Sequence, residues 1–169
     1  MPMEAMMRCL LAIDPGSDKV GVAIVTFAGA CGEKTVVYLS ELHRTVLRLV
    51  REHKPELIVM GGGTAAKATF ALLRDQVPEI EIRFGEEGNT TREARTRYWR
   101  DHPPSGLWRF IPLGLQTPPG PVDDYAAWII GERYLQAHGL SESGASDEAA
   151  KPASQANSDP PAGPPEKSA

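Results

Sequence analysis

The 169-residue chain is poor in cysteine, in long apolar runs and in positive charge. Each shortage excludes something. Two cysteines, Cys9 and Cys31, cannot build the disulfide framework of a small secreted domain. A reducing compartment, the cytoplasm, is the expectation. No apolar run approaches the ~20 residues that a membrane span needs. The run from Cys9 to Ile13 meets Asp14 too early to act as a secretory signal. No membrane partner is therefore expected. Among the four histidines, His43, His53 and His138 show no metal-ligand spacing, and His102 stands alone beside Pro103. With 18 Lys+Arg against 22 Asp+Glu the net charge is −4, which at first argues against a nucleic-acid partner.

The charge is unevenly distributed. Residues 140–169 are mostly Ser, Ala, Gly, Pro and charge, and Leu140 is their sole large apolar residue. Such a segment cannot bury enough surface to offset its ordering entropy, so 140–169 is expected to be a disordered, acidic tail. It carries five acids and two lysines, which leaves 1–139 with 16 basic and 17 acidic residues. Residues 1–139 are the expected folded domain, long enough for a core without metal or disulfide staples.

Within it, Arg8–Asp14, Val20–Thr26, Thr35–Ser40, Leu57–Met60 and Glu79–Phe84 read as strands. Helical spacing follows Ser40, with Leu42, Val46, Leu49 and Val50 on one face and Pro55 as the stop. Further helices are expected over 65–77, 90–101 and 122–138. Three strands joined by short turns favour antiparallel pairing, and the later helical crossovers favour parallel pairing. The expected architecture is α/β, a five-stranded mixed sheet flanked by helices.

Three groups of acids stand where chemistry could occur. Asp14 ends a strand that should be buried, where an unpaired carboxylate is costly. Two readings fit it: a turn cap for Pro15-Gly16, or a ligand for a cation. Glu86-Glu87 precedes a helix whose start is already explained by Thr90 and Glu93 as a capping box, so Glu87 has no structural task. Asp123-Asp124 opens the last helix with one acid more than capping needs. Asp123 shares a face with Ala126, Ala127, Ile130 and Tyr134, which carries it inward, and Asp124 points to the rim. Carboxylates converging at one sheet edge without His or Cys suit Mg²⁺ or Mn²⁺, and such sites serve phosphoryl displacement.

Arg92, Arg95, Arg97, Arg100 and Arg109 fall within 18 residues, where an even spread of the domain's 12 arginines would put roughly 1.6. Tyr98, Trp99 and Trp108 are interleaved. Arginine for phosphate and aromatics for bases is the composition of a single-strand or junction surface. The competing reading is a solvated helix with Tyr98 or Trp99 in the core.

These motifs resemble a known family. LAIDPGSDKVGVAIV (11–25) resembles the first two strands of RNase H-like nucleases. FGEEGNTTREA (84–94) is similar to the Asp-Glu-x-x-Ser/Thr-Thr-x-Glu-Ala stretch of the YqgF/RuvX family of pre-16S rRNA nucleases and Holliday junction resolvases. VDDYAA (122–127) is similar to that family's final Asp-x-x-Ala-Ala. The resemblance implies an RNase H-like fold and hydrolysis of phosphodiesters in RNA or in branched or single-stranded DNA, dependent on Mg²⁺ or Mn²⁺. It implies Asp14, Glu87 and Asp123 as catalytic metal ligands, and Asp124 is expected as a further metal ligand. Lys19 stands where the family's first-turn Arg stands, and with Arg92, Arg95, Arg97, Arg100, Arg109 and Trp99 is the expected nucleic-acid contact. Gly88 replaces an Arg, and Gly61-Gly62-Gly63 replaces the more usual Gly-Leu-Pro. Two other readings stay open: a catalytically silent ribosome- or polymerase-binding module, and half of an actin-like ATPase. Monomer and homodimer are both compatible, the latter matching a two-fold symmetric junction.

Overall fold

The computed structural model describes residues 7–86, 88 and 90–141. Glu87 and the expected tail beyond 141 lie outside these residues. Five strands form one sheet: β1 (Cys9–Asp14), β2 (Lys19–Thr26), β3 (Cys31–Tyr38), β4 (Ile58–Met60) and β5 (Ile82–Phe84). Four helices accompany them: α1 (Leu42–His53), α2 (Ala66–Arg74), α3 (Thr90–Asp101) and α4 (Asp123–Ala137).

The sheet order is β3-β2-β1-β4-β5. β1–β2 and β2–β3 are antiparallel, while β1–β4 and β4–β5 are parallel. Hairpin turns and helical crossovers thus pair the strands as the sequence leads one to expect. β1 alternates sides: Leu11 and Ile13 join the core beneath α1 and α2, and Leu10 and Ala12 join the core beneath α4. α3 does not reach the sheet's core; its Ala94 packs on Tyr125, Ala126 and Ile129 of α4.

α4 sits low on the sheet because small residues face it. A Cβ on Gly131 would meet Val25 Cγ2 at 2.7 Å and Ala12 Cβ at 3.1 Å. Ala12, Ala23 and Ala127 leave room for that approach. α4 is consequently buried well beyond the single face expected: Tyr125, Ile129 and Leu135 are also inside, because α3 and the sheet enclose it from different sides.

Several boundaries differ from the sequence reading. β3 starts at Cys31, not Thr35, because the turn closes earlier: Gly29 donates to Thr26 O at 2.8 Å with φ of 83°, and Ala30 N donates to Thr26 Oγ1 at 3.1 Å. Leu39–Glu41 is a 3-10 turn leading into α1, so the third strand ends at Tyr38. β5 begins only at Ile82, since the preceding residues form a turn in which Ile80 N donates to Val77 O. The capping box is not formed at the expected place. Thr90 is already helical, and the Glu93 carboxylate accepts from Arg97 at 3.0 Å and from Arg133 at 2.7 Å. Two arginines outcompete a backbone N–H for that carboxylate, because charge-assisted bonds are the stronger ones.

Candidate active site

β1 delivers Asp14 to the edge where the sheet's first hairpin turns. The turn is tight: a Cβ on Gly16 would overlap the carbonyl of Lys19. Across the hairpin Asp14 pairs in register with Gly21. A Cβ on Gly21 would overlap the Asp123 carbonyl, so the first turn of α4 lies directly on β2 at this point. One glycine thereby brings the strand-end Asp14 and the helix-start Asp123 to the same place.

The charge of Asp123 is felt at Asp14. Burial, then the charge of Asp123, pushes the Asp14 carboxyl up to about 6. Burial, then the charge of Asp124, raises Asp123, while the Lys19 ammonium pulls it back down. Both carboxylates are thus short of positive charge. On the β4 side, Gly61 N donates to Ile13 O at 2.9 Å, and a Cβ on Gly61 would lie 3.7 Å from Asp14 Oδ1. A cleft of about 180 Å³ opens there, lined by Asp14, Gly61, Gly62, Glu86, Gly88, Thr90 and Ile130. Glu86 is exposed on its rim. Asp123 does not line this cleft and approaches Asp14 from the β2 side.

Asp124 turns away, as its position on the helix dictates. Its carboxylate accepts from Lys34 Nζ at 2.8 Å and from the N–H of Tyr125 at 2.9 Å. The Lys34 ammonium also stands 3.7 Å from the centre of the Tyr125 ring. Lys34 carried no signal in the sequence, being a lone lysine beside Glu33 just before the expected third strand. Lys19 is exposed at the start of β2, with its Nζ 5.5 Å from the Tyr38 ring centre.

Three of the described acidic and histidine groups lie close enough to share an ion, namely Glu33, Glu52 and His53. They are far from Asp14 in the fold, on β3 and α1, and Arg48 already bridges Glu33 and Glu52. That cluster is explained as an ion-pair network on the surface.

The arginine-rich segment divides into two groups. Arg92 and Arg95 line a groove of about 790 Å³ with Thr90, Thr91, Thr96, Trp99, Gly114 and Gln116. Arg100 is exposed near the end of α3, and Arg109 lies over the Phe110 ring at 5.3 Å. Arg97 faces the other way. Its guanidinium pairs with Glu132 at 2.6 Å and Glu93 at 3.0 Å, and sits 4.8 Å from the Trp128 ring centre. It fastens α3 to α4 and is not on the groove.

Trp99 lines the groove on one side and a second pocket on the other. Its indole Nε1 is buried with no hydrogen-bond partner among the described residues. Gln116 is buried within a loop rich in Pro and Gly. Its Nε2 donates to the carbonyls of Trp108 at 2.9 Å and Ile111 at 2.6 Å, fixing the 3-10 turn Gly106–Phe110. A buried amide in a Pro-rich loop is visible in sequence only as an ordinary Gln.

No helix among the described residues is long and apolar enough to cross a membrane. The sequence matches no family model and no curated protein. Solved structures do match. RuvC from Thermus thermophilus, solved in complex with a Holliday junction substrate, is 14% identical with a TM-score of 0.50, over 78% of this chain and 96% of that one. The resolvase of Fowlpox virus, also solved with Holliday junction DNA, is 8% identical with a TM-score of 0.46, over 76% and 99%. A ROK family protein from Streptococcus pneumoniae is 16% identical with a TM-score of 0.38, over 56% and 39%. The sheet order, the mixed pairing and the match to RuvC along nearly that whole chain establish an RNase H-like α/β fold.

Proposed function

We propose that the chain is a divalent-metal-dependent nuclease that hydrolyses phosphodiester bonds, related to the YqgF/RuvX family. Its tasks on this reading are 5′-end maturation of 16S rRNA, resolution of branched DNA, or both, in the cytoplasm. The observation that carries it is the meeting of Asp14 and Asp123 over Gly21 at the edge of an RNase H-like sheet. Two neighbouring carboxylates, each raised by burial and by an adjacent acid, are a site prepared for a cation.

The donor set fits a hard cation. It offers carboxylate oxygens and no His or Cys, which suits Mg²⁺ or Mn²⁺. Asp14 and Asp123 would hold the ion, with Glu87 completing the set. Asp124 supports them at one remove, its charge balanced by Lys34. Bound there, a divalent cation supplies Lewis acidity for phosphodiester hydrolysis. Lys19 sets the local field at Asp123 and offers a point charge to a phosphate. Arg92 and Arg95 hold the backbone along α3, and Thr90 joins their groove to the cleft at Asp14.

The test is cleavage of labelled single-stranded RNA, single-stranded DNA and a four-way junction in Mn²⁺, by wild type and Asp14→Asn. Cutting of at least one substrate by wild type alone supports the reading. If nothing is cut, or both proteins cut equally, the binding-module alternative takes its place.

A further inference from the structure

We infer that the chain carries a pocket for one unpaired nucleobase, set at a fixed distance from the carboxylate cleft. This rests on the reading of the chain as a nucleic-acid enzyme and adds a substrate preference to it. The pocket has about 560 Å³ and lies between the end of α3 and the loop 103–119. Four of its walls are π-systems: Tyr98, Trp99, His102 and Trp108. Tyr98 stacks on His102 at 4.6 Å between ring centres and meets Trp99 edge-on at 5.3 Å. Trp108 is 64% exposed, which is unusual for a large aromatic that serves only the fold. It is nevertheless held, because Gln116 fastens its carbonyl. An exposed ring on a fastened backbone, beside stacked aromatics, suits a flat aromatic guest.

Neighbouring charge selects that guest. The pocket shares Trp99 and Gln116 with the groove that holds Arg92 and Arg95, and that groove shares Thr90 with the cleft of Asp14. Cleft, basic groove and aromatic pocket form one track along α3. A nucleotide strand offers phosphates to the groove and a base to the pocket. An apolar peptide would leave the arginines unused. From Thr90 to Trp99 the helix rises about 14 Å, so the captured base stands about two to four nucleotides from the bond at the cleft. A fully paired duplex cannot deliver such a base without extruding it.

The experiment compares binding in EDTA, by fluorescence anisotropy, of full-length Asp14→Asn protein to three labelled duplexes. One is fully paired, one has a single bulged nucleotide, and one has the same bulge without its base. The bulged base is expected to bind about five- to a hundredfold more tightly than the other two, the range that stacking of one base provides. Trp108→Ala should abolish this preference and Trp108→Phe should retain it. Equal affinity for all three duplexes, or a preference that survives in Trp108→Ala, overturns the pocket. Wild-type cleavage in Mn²⁺ is measured in parallel. Cleavage with no preference for the bulged base rejects the pocket and leaves the nuclease reading standing. A preference without cleavage keeps the pocket and rejects the nuclease reading. Absence of binding to every duplex rejects the pocket as well.

Discussion

Gly21 and Asp123 occupy a single point of contact: the helix-start carbonyl of Asp123 lies where the Cβ of any other residue at 21 would be. Because Gly21 is also the cross-strand partner of Asp14, the spacing of the two acids depends on a missing side chain. Gly21→Ala is therefore expected to lower unfolding stability by about 1–3 kcal/mol, the scale of an overpacked core, since backbone is what must move. Gly32→Ala is the matched control. Its Cβ would meet nothing closer than 3.4 Å, so it should stay within about 0.5 kcal/mol of wild type. Urea denaturation of both variants checks this.

The Asp14 carboxyl, raised from 3.8 to about 6, fixes the sign of a pH effect. Between those values the folded protein binds more protons than the unfolded chain, so stability falls as pH rises through the window. Above about 6 the loss is complete, at most about 3 kcal/mol. In the metal-free protein, Asp14→Asn should remove this decline and be the more stable form at pH 7.5. Mn²⁺ should raise the wild-type melting temperature at pH 7.5 and much less at pH 5, and should leave Asp14→Asn unmoved. Thermal melts at the two pH values read all of these outcomes.

The arginines of α3 should separate cleanly by function. Arg97→Ala strands the half-buried Glu132 and should cost about 1–3 kcal/mol of stability, because a carboxylate stripped of its partner keeps its desolvation cost. Arg92→Ala and Arg95→Ala should change stability by less than about 0.5 kcal/mol. Each should reduce the slope of log affinity against log salt by about 1, the signature of one lost phosphate contact. Salt titrations of oligonucleotide binding and denaturation curves of the three variants distinguish the two roles.

Gln116→Ala removes the donor to the Trp108 and Ile111 carbonyls. The loop that bears the exposed Leu107, Trp108, Phe110 and Leu115 should then open more readily while the sheet stays intact. Chymotrypsin is expected to cut within 107–115 several-fold faster than in wild type, with a small change in melting temperature.

Much of this was legible because it is periodic or punctuated. Alternation in 9–14, the stop at Pro15-Gly16 and the helical spacing of Leu42, Val46 and Leu49 each encode a local geometry directly. The inward turn of Asp123 followed from its place above Ala126, Ala127 and Ile130. What stayed hidden depends on contacts between distant segments. Nothing near Arg97 in the chain shows that Glu132 awaits it on another helix, so it reads like its neighbours Arg95 and Arg100. The capping box at Thr90 and Glu93 gave way for the same reason, since Arg133 arrives from 40 residues away. Gly21 looks like one more small residue in an apolar strand until α4 is placed on top of it.

The same hidden contacts define the reaction centre proposed here, and one measurement tests it most directly. That measurement is the cleavage rate in Mn²⁺ of the substrate that wild type cuts best, for wild type, Asp14→Asn and Asp123→Asn, alongside their affinity for that substrate in EDTA. Both variants should lose more than about a hundredfold in rate, beyond the usual effect of altering a metal's outer partners. Both should bind the substrate as well as wild type or better, since each removes a negative charge. Cleavage that persists in either variant at near wild-type rate would contradict the assignment of Asp14 and Asp123 as the paired acids of a nuclease.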